Sequence, residues 1–342
     1  MSDNPRALAE LGEALVVRGD RAHAAAVYDR AYGLAPNDTE IVAARRKLLD
    51  DLAVEEHGLV WRYVPGGTRM LGRTDGDPDE RPVHPVAVSG FWLTDAPLSW
   101  DDYCRILGWS PPPKSEPPDP PAPKSTTWGA TFYVFEANRV RGPYCEDLTS
   151  DARKAHLRFY EPRTYQTKPM VAVGWQDAEE VAAALSGDGV RYRLPTEAEW
   201  ETAARGGLVG RRRPWGDEPP TGETCDVDRF DELGILPSRS LPPNGYGLYA
   251  MCGGVWEWTA DWYDARYYEQ CPPDNPTGPA TGEQKVIRGG SWTDCADVAT
   301  VSFRASRASV GWRAEEWGRQ MTANIGFRLC RVAQVSDAGH SR

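Results

Sequence analysis

Five short phrases between residues 192 and 328 constrain the fold of this chain more than any bulk property. They read Tyr192-Arg193-Leu194-Pro195-Thr196-Glu197-Ala198-Glu199-Trp200-Glu201, Asn244-Gly245-Tyr246-Gly247-Leu248-Tyr249, Gly253-Gly254-Val255-Trp256-Glu257-Trp258, Val286-Ile287-Arg288-Gly289-Gly290-Ser291-Trp292 and Asn324-Ile325-Gly326-Phe327-Arg328. The first contains an S/T-x-x-E capping box, in which Thr196 and Glu199 satisfy each other's free backbone N–H groups as a helix opens. Trp200, Trp256, Trp258 and Trp292 fall inside the phrases, and rings so placed are expected to pack in a core.

The first 57 residues have a different pattern. Leu8, Leu11, Gly12, Leu15, Ala24, Tyr28, Ala31 and Pro36 occupy the positions that define a tetratricopeptide-like helix–turn–helix. Small Gly12 and Ala24 let two helices approach, Tyr28 fills the groove between them, and Gly19-Asp20 makes the turn. Pro36-Asn37-Asp38 stops the second helix and starts a third, expected over Thr39 to Glu55. One repeat cannot bury its apolar face alone, since about three are normally needed. The segment must therefore pack on the following domain, on another copy or on a partner protein.

From Gly58 the pattern turns to short strands and Gly-rich turns, with Leu59–Val64 and Val83–Val88 reading as strands. Ser99 with Asp102 can cap a short helix through Tyr103 and Leu107. A Pro-rich stretch, Ser110 to Pro123, blocks helix and sheet alike and opens an aromatic insert over 110–167, read as a self-packed loop or a specificity lid. A helix beginning near Gln176 places Ala178, Val181, Ala182 and Leu185 on one face. The division expected is 1–57 helical, 58–333 one mixed domain carrying the insert, and 334–342 a disordered tail.

Composition excludes some functions. A net charge of −11 argues against a nucleic-acid partner, which needs a basic surface. No apolar run is long enough to span a bilayer, so no membrane partner is expected. Met1-Ser2-Asp3-Asn4-Pro5 has neither the basic nor the apolar region of a secretory signal, and the seven cysteines lack framework spacing. The expectation is a cytoplasmic protein with reduced thiols.

The order and wording of the phrases resemble the formylglycine-generating enzyme family, also called sulfatase-modifying-factor domains, over residues 58–333 minus the insert. The resemblance implies an α+β fold, an irregular variant of the C-type lectin fold, here with an N-terminal helical repeat. Members that oxidise a substrate cysteine hold copper on two cysteines, at the third and eighth positions after the serine of the Gly-Gly-Ser phrase. Those positions here are Asp294 and Ala299. Cys295 lies one residue past the first, and Cys252 and Cys330 fall inside similar phrases. Two thiolates make a linear site selective for Cu(I), and a carboxylate with a methyl group does not, so copper is not expected. Related sulfoxide synthases bind iron through histidines; with five His scattered along this chain, iron is not expected either.

Calcium is the metal that the resemblance leaves open. Glu257 and the carbonyls of Gly253 and Val255 match ligand positions, while Ala250 lacks the oxygen-bearing side chain expected there. No G-x-S-x-G, phosphate loop or zinc-type cluster is present. The resulting expectation is a divergent family member, or pseudoenzyme, that recognises a peptide or small ligand in a lectin-like groove. The groove is expected to involve Ser291, Trp292, Asp294, Arg304, Trp312, Trp317 and Asn324. The alternative is a metal-dependent oxidoreductase rebuilt around Cys295, with Ser291 beside it. A protein partner through the N-terminal repeat is a further expectation.

Overall fold

Three capped helices open the chain. In the computed structural model, which describes residues 4–108, 167–171, 173–187, 189–229, 235–309 and 324–333, these are α1 (Pro5–Val17), α2 (Arg21–Leu34) and α3 (Thr39–Asp51). Asn4, Asp20 and Asp38 each accept hydrogen bonds from first-turn N–H groups, as short oxygen-bearing side chains do at such positions. A Cβ at Gly12 would lie 2.8 Å from the Tyr28 ring, so only glycine permits this approach of α1 to α2.

The third helix is shorter than the sequence suggests, ending at Asp51 rather than near Glu55. Residues Val54–Glu56 form strand β1 instead, paired with β2 (Leu59–Val64) across a two-residue turn at His57 (φ 54°) and Gly58 (φ 68°). Positive φ at both turn positions gives the tight hairpin whose twist matches its strands, and that pairing captures residues that helical spacing assigns to α3.

The remaining elements are β3 (Gly67–Leu71), β4 (His84–Val88), β5 (Phe91–Thr94), α4 (Trp100–Ile106), α5 (Trp175–Leu185), β6 (Val190–Arg193), α6 (Glu197–Ala204), β7 (Trp256–Trp262), β8 (Gln284–Arg288), β9 (Arg304–Ala308), β10 (Ile325–Gly326) and β11 (Cys330–Ala333). They build a five-stranded sheet of order β1-β2-β5-β11-β6, a four-stranded sheet of order β10-β7-β8-β9, and the hairpin β3-β4. The pairings are antiparallel except β10 with β7. The result is a mixed fold of helices and small curled sheets. Both expected capping boxes form, at Ser99/Asp102 and Thr196/Glu199.

The helices and the sheets share one core. Leu8, Tyr28 and Leu48 belong to the same buried cluster as Leu93, Trp200 and Leu248. At the seam Asp29, 3% exposed, accepts from Arg45 (Nε 3.0 Å, Nη2 2.6 Å), from Arg69 Nη2 at 2.5 Å and from the Tyr246 hydroxyl at 2.8 Å. Arg45 also donates to the carbonyls of Gly206 and Gly245. The N-terminal segment therefore packs in cis, held by polar groups from β3, the turn after α6 and the 244–249 phrase as well as by apolar contact. Among the described residues no helix is long and apolar enough to cross a membrane.

Candidate functional site

The site is built on buried ion pairs. All eight residues of α6 are buried, and their carboxylates reach into the four-stranded sheet. Glu197 pairs with Arg304 at 2.7 Å, and Glu201 with Arg288 at 2.5 Å and Arg205 at 2.6 Å. Burial alone would raise the Glu201 carboxyl, but Arg205 and Arg288 outweigh it and hold the group below its usual range. Glu257 on β7 takes a bidentate pair from Arg328 (2.7 Å each) and a hydrogen bond from Trp200 Nε1 at 2.7 Å. Such closed pairs fix geometry, because removing one partner leaves a charge stranded in the core.

On this frame the chain turns at Gly289 (φ 101°) and Gly290 (φ 74°) and lays Ser291–Asp294 over the start of β7. Here three of the expected site residues meet. Asp294 Oδ2 accepts from the Ser291 backbone N–H at 2.9 Å, the Ser291 hydroxyl at 2.5 Å and Trp256 Nε1 at 2.8 Å. Asn324 Nδ2 donates to Ser291 Oγ at 2.9 Å, and Thr293 Oγ1 lies 3.0 Å from that oxygen. The neighbouring loop is tied in by backbone bonds from Asp228 N to Asp294 O and from Arg229 N to Trp292 O. Ser291, Asp294 and Asn324 thus form one hydrogen-bonded cluster, with Thr293 and Trp256 as members that sequence reasoning did not single out.

The other site residues fall elsewhere. Trp292 is 3% exposed and packs with Val171, Ile235 and Val255, its indole N–H having no hydrogen-bond partner among the described residues. Arg304 is enclosed against Glu197 and the carbonyls of Asp79 and Asp264, away from the Ser291 cluster. Trp312 and Trp317, like most of the 110–167 insert and the 334–342 tail, lie outside the described residues. Cys295 is exposed, whereas Ala299 is fully buried.

Among the described residues Cys104, Cys225, Cys252 and Cys330 are buried, unlike the exposed Cys295. Cys225 donates to the Cys252 carbonyl at 3.2 Å, and burial pushes its thiol up to about 12. Burial likewise raises Cys252, which neighbours Cys225, and Cys330, which lies beside Glu199 and Arg193. Burial of this kind keeps a thiol protonated and unreactive. Among the described residues no group of three or more His, Cys, Asp or Glu side chains is placed to hold a metal ion.

The calcium candidates sit close together in sequence but differ in availability. Glu257 is 0% exposed, with Oε2 taken by two donors and Oε1 by one. Ala250 adopts φ 51°, a left-handed conformation that suits asparagine or glycine better than alanine.

Residues 53–333 match the sulfatase-modifying factor enzyme 1-like domain. A formylglycine-generating enzyme of Streptomyces coelicolor is 39% identical over 312 residues, covering 80% of this chain and 89% of the relative. The mouse protein named inactive C-alpha-formylglycine-generating enzyme 2 is 38% identical over 299 residues, covering 79% and 85%. Among solved structures, PvdO from Pseudomonas aeruginosa superimposes with a TM-score of 0.56 at 22% identity, over 82% of this chain and 97% of that one. That likeness extends to the fold alone.

Proposed function

This chain belongs to the sulfatase-modifying factor enzyme 1-like family, and from that premise we propose that it is a divergent member that binds a peptide or small ligand without oxidising a cysteine. The observation that carries the reading is the engagement of Asp294. At the first of the two positions where the resemblance expects copper thiolates stands a carboxylate whose Oδ2 accepts three hydrogen bonds. At the second stands a buried methyl group. Hard oxygen and carbon do not replace two polarizable sulfurs, so these residues do not fit copper, and no step is routed through it.

In this reading the groove is the lectin-like surface at Thr293 and Asn324, which rest on the fully buried Ser291 and would orient the ligand with their polar groups. The N-terminal helices are read as a tetratricopeptide-like unit, supported by the Gly12–Tyr28 contact, and the protein as cytoplasmic, supported by seven cysteines without framework spacing. Calcium would find only part of a shell here: the carbonyls of Gly253 and Val255 would supply two of the roughly six to eight oxygens that the ion prefers, and both Glu257 oxygens are engaged by Arg328 and Trp200.

The test is turnover. The full chain, incubated with Cu(I), air and a sulfatase-type cysteine peptide, should leave the peptide unoxidised by mass spectrometry. Competition with a chromogenic Cu(I) chelator should show no tight binding. The variant carrying Asp294→Cys and Ala299→Cys should gain affinity for Cu(I). An aldehyde product formed by the wild-type chain sinks the proposal and favours an oxidoreductase built on Cys295.

A further inference from the structure

The side-chain protons of the Ser291 cluster are committed inward. A carboxylate oxygen accepts, so the Ser291 hydroxyl, 2.5 Å from Asp294 Oδ2, gives its single proton there. Ser291 Oγ can then only accept, and it does so from Asn324 Nδ2 at 2.9 Å. The contact of 3.0 Å between Ser291 Oγ and Thr293 Oγ1 therefore takes its proton from Thr293. Asn324 Nδ2 also faces Thr293 Oγ1 at 3.4 Å, and Trp256 Nε1 donates to Asp294 Oδ2. Trp292 Nε1 has no partner among the described residues, but it is buried beside Val171 and Val255.

The side-chain atoms left free are acceptors. Among the described residues nothing donates to Asp294 Oδ1 or to Asn324 Oδ1, and no arginine or lysine pairs with Asp294. Both residues are half-buried rather than enclosed. Their side chains meet on one atom, Ser291 Oγ, so the two free oxygens belong to one small patch. That patch carries an unpaired carboxylate charge in a chain whose net charge is −11, and such a field attracts cations. Two oxygens are too few for calcium, which takes about six to eight. A partner that suits the patch must bring N–H groups of its own.

We propose that the groove selects an organic cation with several N–H donors, an ammonium or guanidinium-type group, which donates to Asp294 Oδ1 and Asn324 Oδ1 together. This rests on the reading of the groove as a binding site and adds the chemical class of its ligand. An anionic group meets the same two acceptors and loses its water without gaining a bond to either. The carboxylate of Asp294 thus has two tasks on its two oxygens: Oδ2 closes the turn, and Oδ1 meets the ligand.

The probes are benzamidine, benzamide and benzoate, which are close in shape but are a cation, a neutral amide and an anion. Each is titrated into the full chain labelled with nitrogen-15, and the amide resonances are followed by NMR. Benzamidine should shift Thr293 and Asn324 and bind at least about tenfold more tightly than benzamide, the scale of one charge-assisted contact, with benzoate weaker still. Asp294→Asn keeps the size of the side chain, removes its charge and should weaken benzamidine about tenfold. Glu13→Gln removes the same charge from an exposed position on α1 and should leave benzamidine within about twofold, since salt screens a distant charge. If Asp294→Asn misfolds, the wild-type ranking and the identity of the shifted resonances decide by themselves. No benzamidine binding, shifts that avoid Thr293 and Asn324, equal affinity for benzamide or benzoate, or an equal loss in the two variants overturns the proposal. Binding of benzoate at Asn324 as tight as that of benzamidine overturns the cation assignment and leaves binding without oxidation standing. An aldehyde product in the turnover assay overturns binding without oxidation, and benzamidine still seated at Asn324 then upholds the cation assignment.

Discussion

Replacing Asp29 by alanine tests whether the N-terminal helices belong to the same cooperative unit as the mixed domain. The side chain of Asp29 is 2% exposed and that of Arg45 is 4% exposed, so this pair gets little screening from solvent. Arg69, at 19%, is partly wetted, and its share must be discounted. Removing the carboxylate strands Arg45 in the core and deprives the Tyr246 hydroxyl of its acceptor. Breaking a buried pair in this one-sided way costs about 3–5 kcal/mol. Over 342 residues, an unfolding entropy of about 2.1 cal/mol/K per residue converts that loss to a fall of about 4–7 °C in melting temperature. Differential scanning calorimetry is the assay, and a single transition should shift as a whole. A second variant, Asp29→Leu with Arg45→Leu, should recover much of the loss, because an apolar replacement of both partners leaves no stranded charge. The reasoning fails if Asp29→Ala melts within 1 °C of wild type, or if wild type already shows a separate transition for residues 5–52.

Two more outcomes follow from single side chains. Burial, with Glu197 and Glu199 nearby and Lys285 partly compensating, raises the Asp261 carboxyl from 3.8 to about 8. The folded state then holds a proton that the unfolded chain has lost, so this group's contribution to stability is full below about pH 4 and falls as the pH rises to 8. Asp261→Asn mimics the protonated form and should gain on wild type across that window, by at most about 1.4 kcal/mol per pH unit, and a difference in melting temperature that stays constant from pH 5 to 9 would refute it. Ala250→Asn should relieve left-handed strain and offer an oxygen near Glu257, raising the melting temperature in EGTA and adding a calcium-dependent increment larger than that of wild type. Equal calcium increments in the two proteins remove the Gly253–Glu257 loop from consideration as a calcium site.

Local signals were legible in the sequence where physical causes were local. The capping boxes at Ser99 and Thr196 form because a hydroxyl and a carboxylate three residues apart can reach each other's backbone, whatever surrounds them. The family phrases matched because they contain the ion pairs that frame the domain, such as Glu257 with Arg328 and Glu201 with Arg288. What the sequence could not reveal was long-range closure. Asp29 meets Arg45, Arg69 and Tyr246 across separations of 16, 40 and 217 residues, and no periodicity marks it as a hub. Arg304 is likewise enclosed by Glu197, 107 residues away, a pairing that no local spacing marks. The end of α3 was misplaced because helical spacing continues to Glu55, while the His57-Gly58 turn diverts Val54–Glu56 into a hairpin.

The role of Asp294 was half visible. Ser291 and Asp294 have the same spacing as Ser99 and Asp102 or Thr196 and Glu199, and in all three the later carboxylate accepts the earlier backbone N–H. Here the arrangement closes a turn rather than opening a helix, and it does so at a position where the family resemblance expects a metal thiolate. Asp294 is therefore more than a missing cysteine. Replacing it with cysteine would leave Ser291 N–H, the Ser291 hydroxyl and Trp256 Nε1 with only a weak sulfur acceptor, and each donor left unmatched costs about 1–3 kcal/mol to the extent that it is shielded from water. Copper bound by a cysteine pair would have to offset that local loss before it added anything to the site. The carboxylate thus fixes the geometry of the turn around Ser291 and Asn324 and opposes thiolate chemistry at that position, and the proposal of binding without oxidation rests on that engagement.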